Sequence, residues 1–323
     1  MDSLYSHEYD PALGKFAYTA NTVYRKRQEG WANTFIGKYN TFAIKAIDKN
    51  ELTKIAIWGD SEVEAFQVPD SSKMAQQVSE MFAKTKSGFL GIAIAHSGNS
   101  LADYVMDLNR YEALIPNIAS HYIVICDLND TLPVARTDRC RFEYNKGFRL
   151  VDSECKPPHH SILYQLSKYN LRIISYLYGK VSKYQIQLPW SRQKVSNNDK
   201  LAEEQPYNKV EAWDFVLCEL RKQTNKPITF LYCPSVPTVK SGKIVLKDSS
   251  EQDKMIFVKI CRKQNLAFID LTDRFLDFYI KNNAFPRGFA NSMPGKGHLN
   301  VYGHQLVAEA IFSNELSLDL ANR

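Results

Sequence analysis

The sequence predicts an α/β fold, a mostly parallel sheet covered by helices on both faces, and three observations predict it. Five short apolar runs recur along the chain, each continuous rather than alternating, as strands buried on both faces must be. Stretches of helical length separate them, and alternation of strand and helix favours parallel pairing. Short polar turns follow the first three runs, at the carboxyl ends where open parallel sheets gather their working groups.

The five runs are residues 55–58, 89–95, 122–126, 228–233 and 267–271. Between them, residues 72–84, 101–114, 210–223 and 250–264 read as helices. Residues 1–50 precede the first run and read as an extension packed on the core, with 51–323 forming the main domain. Within that domain residues 133–205 are an insertion, in which 141–151 reads as a hairpin and the polar stretch 193–205 as a loop. Residues 161–178 carry an apolar stripe at Leu163, Leu166, Ile173, Ile174 and Leu177, interrupted by Asn170. Such a stripe ordinarily packs against its own protein. An acyl or sugar pocket, or a membrane surface, is the alternative use.

At 323 residues the chain can bury a sizeable core. Its 44% hydrophobic and 24% charged residues exclude a disordered chain and a membrane bundle. The run 89–95 is far short of a membrane span. The first residues lack the basic-then-apolar layout of a secretion signal, so a cytoplasmic location is expected, with a processed exported form as the alternative. The six cysteines (Cys126, Cys140, Cys155, Cys218, Cys233, Cys261) show no C-x-x-C pair and no metal-ligand spacing, so neither a metal nor a cofactor is expected. Residues 133–205 hold 13 Lys and Arg against 7 Asp and Glu, which accounts for the whole net charge of +6. This basic window is either a face for an anionic polymer or a solvated surface; nucleic acid is not an expected partner.

The chemistry-bearing motifs lie at the strand ends. Gly59-Asp60-Ser61 presents a hydroxyl just past the first run, and Gly297-His298 follows a glycine-rich turn and precedes a helix-like run from Val301, for which Asn300 is the expected N-cap. A serine hydroxyl is a weak nucleophile until a base takes its proton, and histidine suits that task at neutral pH. Ala95-His96-Ser97-Gly98-Asn99-Ser100 and Asp127-Leu128-Asn129-Asp130 follow the second and third runs. His304 reads as structural, Asp60 as shaping the turn, and His96, His159 and His160 have no partner pattern.

These four segments, in this order, resemble the four blocks of the SGNH (GDSL-type) hydrolases over roughly residues 50–315. The resemblance implies a flavodoxin-like three-layer sandwich with a five-stranded sheet. It implies Ser61 as nucleophile and His298 as base, with Ser61 N–H, Gly98 and Asn129 as the oxyanion hole. One part departs from the pattern: the family carries an Asp three residues before its histidine, and here that residue is Gly295. Three options stay open, namely a Ser–His dyad, an acid from elsewhere, or an inactive descendant. Asp270 and Asp273 are the nearest acids by topology and Asp127 a further one, with the dyad as the working choice.

By analogy with bacterial SGNH proteins of polysaccharide modification, the implied activity is a serine esterase for small acyl groups, such as O-acetyl esters on a carbohydrate or other small molecule. O-acetyl transfer through the same acyl-enzyme, a lipase or thioesterase, and a non-catalytic binding module are the alternatives. Oligomeric state is not readable from the sequence.

Overall fold

A computed structural model describes residues 7–43, 47, 51–129, 131–132, 140–142, 148–152 and 208–322. The chain opens with two antiparallel pairs, β1 (His7–Asp10) with β2 (Lys15–Tyr18) and β3 (Thr22–Lys26) with β4 (Ala32–Ile36). Then come β5 (Thr41–Phe42), β6 (Thr53–Gly59), the short helix α1 (Ser61–Glu64), α2 (Met74–Lys84), β7 (Phe89–Ala95), α3 (Leu101–Leu114) and β8 (Ile118–Ile125). A hairpin of β9 (Cys140–Phe142) and β10 (Leu150–Asp152) lies within the insertion, where residues 141–151 were expected to turn back. The rest of the chain supplies α4 (Lys209–Lys222), β11 (Ile228–Tyr232), the hairpin β12 (Thr238–Lys240) and β13 (Lys243–Val245), and α5 (Glu251–Lys263). It ends with β14 (Ala267–Asp270), α6 (Thr272–Asn282) and α7 (Val301–Asn322). The expected helix at 161–178, the loop at 193–205 and the His159-His160 pair lie outside the described residues.

Five strands pair in parallel in the order β14-β11-β8-β6-β7, the flavodoxin-like order, and they are the five runs read from the sequence. The sheet continues past β7 through β5, β4 and β3, antiparallel, to eight strands. Without β5, β7 would offer a row of open N–H and C=O groups at the sheet edge. The pairs Thr41↔Ile94 and Phe42↔Ala93 cover it.

Alternation along β6 divides the core. Ile55 and Ile57 face one apolar cluster with α2, α6 and α7, whereas Ala56 and Trp58 face the other with α3, α4 and α5. Each such fully buried aliphatic side chain contributes roughly 1.5–3 kcal/mol, so the two clusters hold the layers together. The helix starts follow local chemistry. Ser100 N–H and Oγ both donate to Asp103 at the start of α3, and Asn208 Oδ1 accepts from Val210 N–H at the start of α4. Asn300 caps α7 as expected, accepting from Tyr302 N–H at 3.0 Å and Gly303 N–H at 3.3 Å. Helix α6 was not read from the sequence, although Leu271, Phe275 and Phe278 have helical spacing toward the core. Among the described residues no helix is long and apolar enough to cross a membrane.

Residues before 50 are bonded to the core at several points. Lys15 Nζ meets Asp107 Oδ2 of α3 at 2.5 Å with both side chains almost wholly buried, and Tyr111 Oη donates to Tyr39 O at 2.7 Å. Removing one partner of a buried ion pair leaves an uncompensated charge, whereas replacing both is far less costly. Arg110 Nη1, 3.9 Å from Asp107 Oδ1, offsets part of that charge, so Lys15→Met is expected to lower stability in urea unfolding by less than the full cost of an unpaired buried charge, about 3 kcal/mol. The double variant Lys15→Met/Asp107→Leu should recover most of that loss.

Candidate active site

Strand β6 lies inside the parallel sheet, hydrogen-bonded to β7 on one side and β8 on the other. Its exit turn therefore lies between the turns that leave those two strands, so Ser61 is flanked by the segments carrying Gly98 and Asn129. Asp60 shapes the exit turn by accepting from Glu62 N–H at 2.9 Å, and Ser61 begins α1 half-buried.

The imidazole of His298 meets this hydroxyl, with Nε2 3.0 Å from Ser61 Oγ. Its other nitrogen, Nδ1, lies 2.7 Å from Glu29 Oε2, and His298 N–H donates to Glu29 Oε1 at 3.2 Å. An ionised carboxylate only accepts, so Nδ1 carries the proton and Nε2 is left to accept from Ser61. A carboxylate thus stands behind the ring, in place of the expected dyad.

That carboxylate comes neither from Asp270 nor from Asp273. Asp270 is turned to Lys254 Nζ at 2.7 Å and to Thr272, and Asp273 is exposed in the first turn of α6. Asp127 is occupied too, accepting from Asn129 N–H at 2.8 Å and Asn129 Nδ2 at 3.0 Å. Glu29 lies on the turn between β3 and β4, 269 residues away from His298 in the chain, and no spacing rule could have indicated it. Two glycines adjoin this contact. At Gly295, the position three residues before His298, φ is +73° and a Cβ would fall 2.8 Å from the Phe285 ring, so a side chain there would be strained. At Gly297, φ is +78° and a Cβ would fall 2.4 Å from Glu29 Oε1, in the space the carboxylate occupies.

A second carboxylate fixes the histidine loop to the nucleophile turn. Glu62 Oε1 accepts from Arg287 Nη1 at 2.8 Å and Oε2 from Leu299 N–H at 2.7 Å. Arg287, buried, also donates to Gly297 O at 3.1 Å, Cys233 O at 3.0 Å and Pro234 O at 2.9 Å. His298 is thereby held through both of its chain neighbours. Asn291 ties the Glu29 turn to the same loop, accepting from Gly30 N–H at 2.8 Å and donating to Gly30 O and Arg27 O, each at 3.1 Å.

These charges set the proton affinities. Burial alone would lower the His298 pKa, but the hydrogen bond it donates to Glu29 and the negative charges of Glu62, Glu29 and Asp60 outweigh it and hold it above the ordinary 6.5. Burial pushes Glu29 up, yet its bonds and charge contact with His298 outweigh that and keep it below the usual glutamate value.

Gly98 sits in the turn after β7 with φ +79°, a conformation that favours glycine. Asn129 is exposed on the segment after β8, where its Oδ1 accepts from Lys209 Nζ at 2.9 Å. Its Nδ2 carries two hydrogens, and Asp127 uses one. Between these turns opens a cleft lined by polar residues that include Asp60, Asn99, Asp127 and Thr131 and by apolar ones that include Leu101, Tyr104, Val124 and Ile125. His304 is fully buried, accepts from Met74 N–H at 3.2 Å and is held neutral by burial, its pKa down at about 3, consistent with a structural place. Among the described residues no group of three or more His, Cys, Asp or Glu is arranged to hold a metal ion.

NMR titration of the His298 ring is expected to give a pKa above 6.5 in the wild type and a lower one in Glu29→Gln, because the charge-assisted hydrogen bond to Glu29 that raises it is gone. Gly297→Ala should move the titration the same way by displacing Glu29. An unchanged His298 titration in both variants would contradict the contact.

No family model matches the chain, and no curated protein matches it. Several solved structures are similar at low identity. A two-domain esterase active on acetylated mannans shares 13% identity at a TM-score of 0.42, with 83% of this chain and 50% of that chain covered, so this chain spans half the length of that protein. The acetyl xylan esterase AlAXEase shares 16% at a TM-score of 0.42, with 81% and 98% covered. The psychrotrophic esterase EstA from Pseudoalteromonas sp. shares 11% at 0.43, with 82% and 98% covered.

Proposed function

We propose that the protein is a serine esterase that removes small acyl groups, acetyl in particular, from a carbohydrate. The observation that carries this reading is the chain of contacts from Ser61 Oγ to His298 Nε2 at 3.0 Å and from His298 Nδ1 to Glu29 at 2.7 Å. In the proposed reaction Ser61 Oγ attacks the ester carbonyl while His298 Nε2 takes its proton. The tetrahedral oxyanion is met by the N–H groups of Ser61 and Gly98 and by the second Nδ2 hydrogen of Asn129. Losing one such donor typically costs about 3 kcal/mol of barrier. His298 then protonates the departing alcohol, and water, deprotonated by the same ring, releases the acid and restores Ser61. Glu29 acts through His298, fixing its tautomer and stabilising the imidazolium.

One exposed side chain supports a sugar as the acylated partner. Trp31, on the turn that carries Glu29, is 71% exposed, and the Arg27 guanidinium lies 5.6 Å from its ring centre. An exposed indole two residues from Glu29 suits the flat C–H face of a pyranose.

A fluorophosphonate probe should label the wild type and not Ser61→Ala; absence of labelling in the wild type across pH would defeat the esterase reading. Glu29→Gln is expected to lower kcat by roughly 10²–10⁴, while Asp270→Asn and Asp273→Asn keep most activity. A thousandfold loss in either Asp variant would relocate the orienting acid. Because His298 must be neutral to act as base, activity should fall as pH drops through a value above 6.5, and that limb should move to lower pH in Glu29→Gln. Trp31→Ala should lower kcat/KM for an acetylated oligosaccharide about tenfold more than for p-nitrophenyl acetate, a difference of the size of one aromatic contact.

A further inference from the structure

The last residue of α1, Glu64, is fully buried, yet its carboxylate reaches an exposed serine on another segment. Oε1 accepts from Ser97 N–H at 2.5 Å, and Oε2 accepts from Ser97 Oγ at 2.6 Å. Tyr18 Oη of β2 donates to Oε1 at 3.0 Å. The backbone carbonyl of Glu64 accepts from the buried Lys73 Nζ at 2.9 Å, which also bonds Thr34 Oγ1 at 2.8 Å and lies 3.3 Å from Asp70. Ser97 immediately precedes Gly98, and Glu64 shares a single helical turn with Ser61.

Burying a carboxylate is expensive unless its lone pairs are satisfied. A turn after a strand does not need one: Asp, Asn or Ser within the turn commonly does that work. Here the turn is instead clasped, through both donors of one residue, by the helix that carries the nucleophile. Oxyanion donors must sit within a few tenths of an ångström of 2.7–3.1 Å from the developing charge, and small misplacements cost large rate factors. A direct tie between the two halves of the oxyanion hole meets that demand.

We propose that Glu64 is a positioning residue for acyl transfer: its ionised carboxylate, by clasping Ser97, sets the Gly98 N–H at the oxyanion distance from Ser61. This rests on the esterase reading and adds a residue to it that neither contacts substrate nor belongs to the Ser61–His298–Glu29 chain. The groups that face Glu64 are Asp60 on its own turn, Tyr18 from β2, Ser97 from the β7 turn and Lys73 ahead of α2; His96 stacks on Tyr18 at 5.3 Å and His7 lies 4.5 Å from it. Burial, together with the charge of Asp60, pushes the Glu64 pKa up to about 7 against the pull of the Ser97 and Tyr18 bonds. Protonation converts one acceptor oxygen into a donor and removes the charge that strengthens both arms, so the clasp weakens as pH falls through that value.

The test compares wild type, Glu64→Gln and Ser97→Ala in steady-state hydrolysis of p-nitrophenyl acetate over pH, with thermal melts to establish folding. Ser97→Ala changes only an exposed side chain and keeps the experiment decisive if Glu64→Gln does not fold. Expected is a fall in kcat of about tenfold in each variant, as for a slightly displaced oxyanion donor, with KM within twofold. On the acid side wild-type kcat should fall about tenfold further than the His298 limb alone accounts for, whereas Glu64→Gln should show the His298 limb only. Wild-type kcat in Ser97→Ala overturns the proposal while leaving the esterase reading intact. An inactive, unlabelled wild type removes the esterase reading, and this proposal with it.

Discussion

The carboxylate of Glu29, bonded at once to the ring and to the backbone N–H of His298, is the constraint on which the site depends. It fixes the proton on Nδ1 and turns Nε2 toward Ser61. It also makes the N-terminal segment indispensable to the geometry, since Glu29 can reach His298 only if the β3–β4 turn is held over the histidine loop. Several independent contacts hold it there: β5 paired on β7, Lys15 on Asp107, and Asn291 bridging Gly30 and Arg27. Gly297 completes the fit by leaving open the space that Glu29 fills.

The same region is unusually acidic for a site that needs a neutral base. Glu29, Glu62 and Asp60 all raise the His298 pKa. Their placement suits the moment of attack, when the ring becomes an imidazolium and each of these charges stabilises it. The cost falls on the ground state, where a larger fraction of the ring is protonated below neutrality. Arg287 keeps Glu62 from acting as a loose charge by binding it together with three backbone carbonyls.

Much of the architecture was legible because it follows from local physics. Continuous apolar runs such as residues 89–95 read as strands of a covered sheet, and their order gave the parallel core, although the edge strand β14 is largely uncovered. Asn300 was readable as a cap because capping chemistry is local. Strands β3 to β5 were not read as part of the sheet: they are short, polar on one face, and acquire their role only by covering the edge of β7. In the site, Ser61 and His298 announced themselves by their positions at strand and loop ends. Glu29 did not, since its importance lies wholly in a contact across 269 residues. Gly295 stands where the resemblance places an Asp, and Gly297 held a further clue, visible only once a carboxylate is seen beside it.

The measurement that bears most directly on the central claim is mass spectrometry of the protein quenched during turnover of p-nitrophenyl acetate, with peptide mapping of any adduct. One acetyl group on the peptide containing Ser61, retained longer in Glu29→Gln as deacylation slows, is the predicted result. Sustained turnover with no acyl adduct, or with the adduct on another residue, would contradict it.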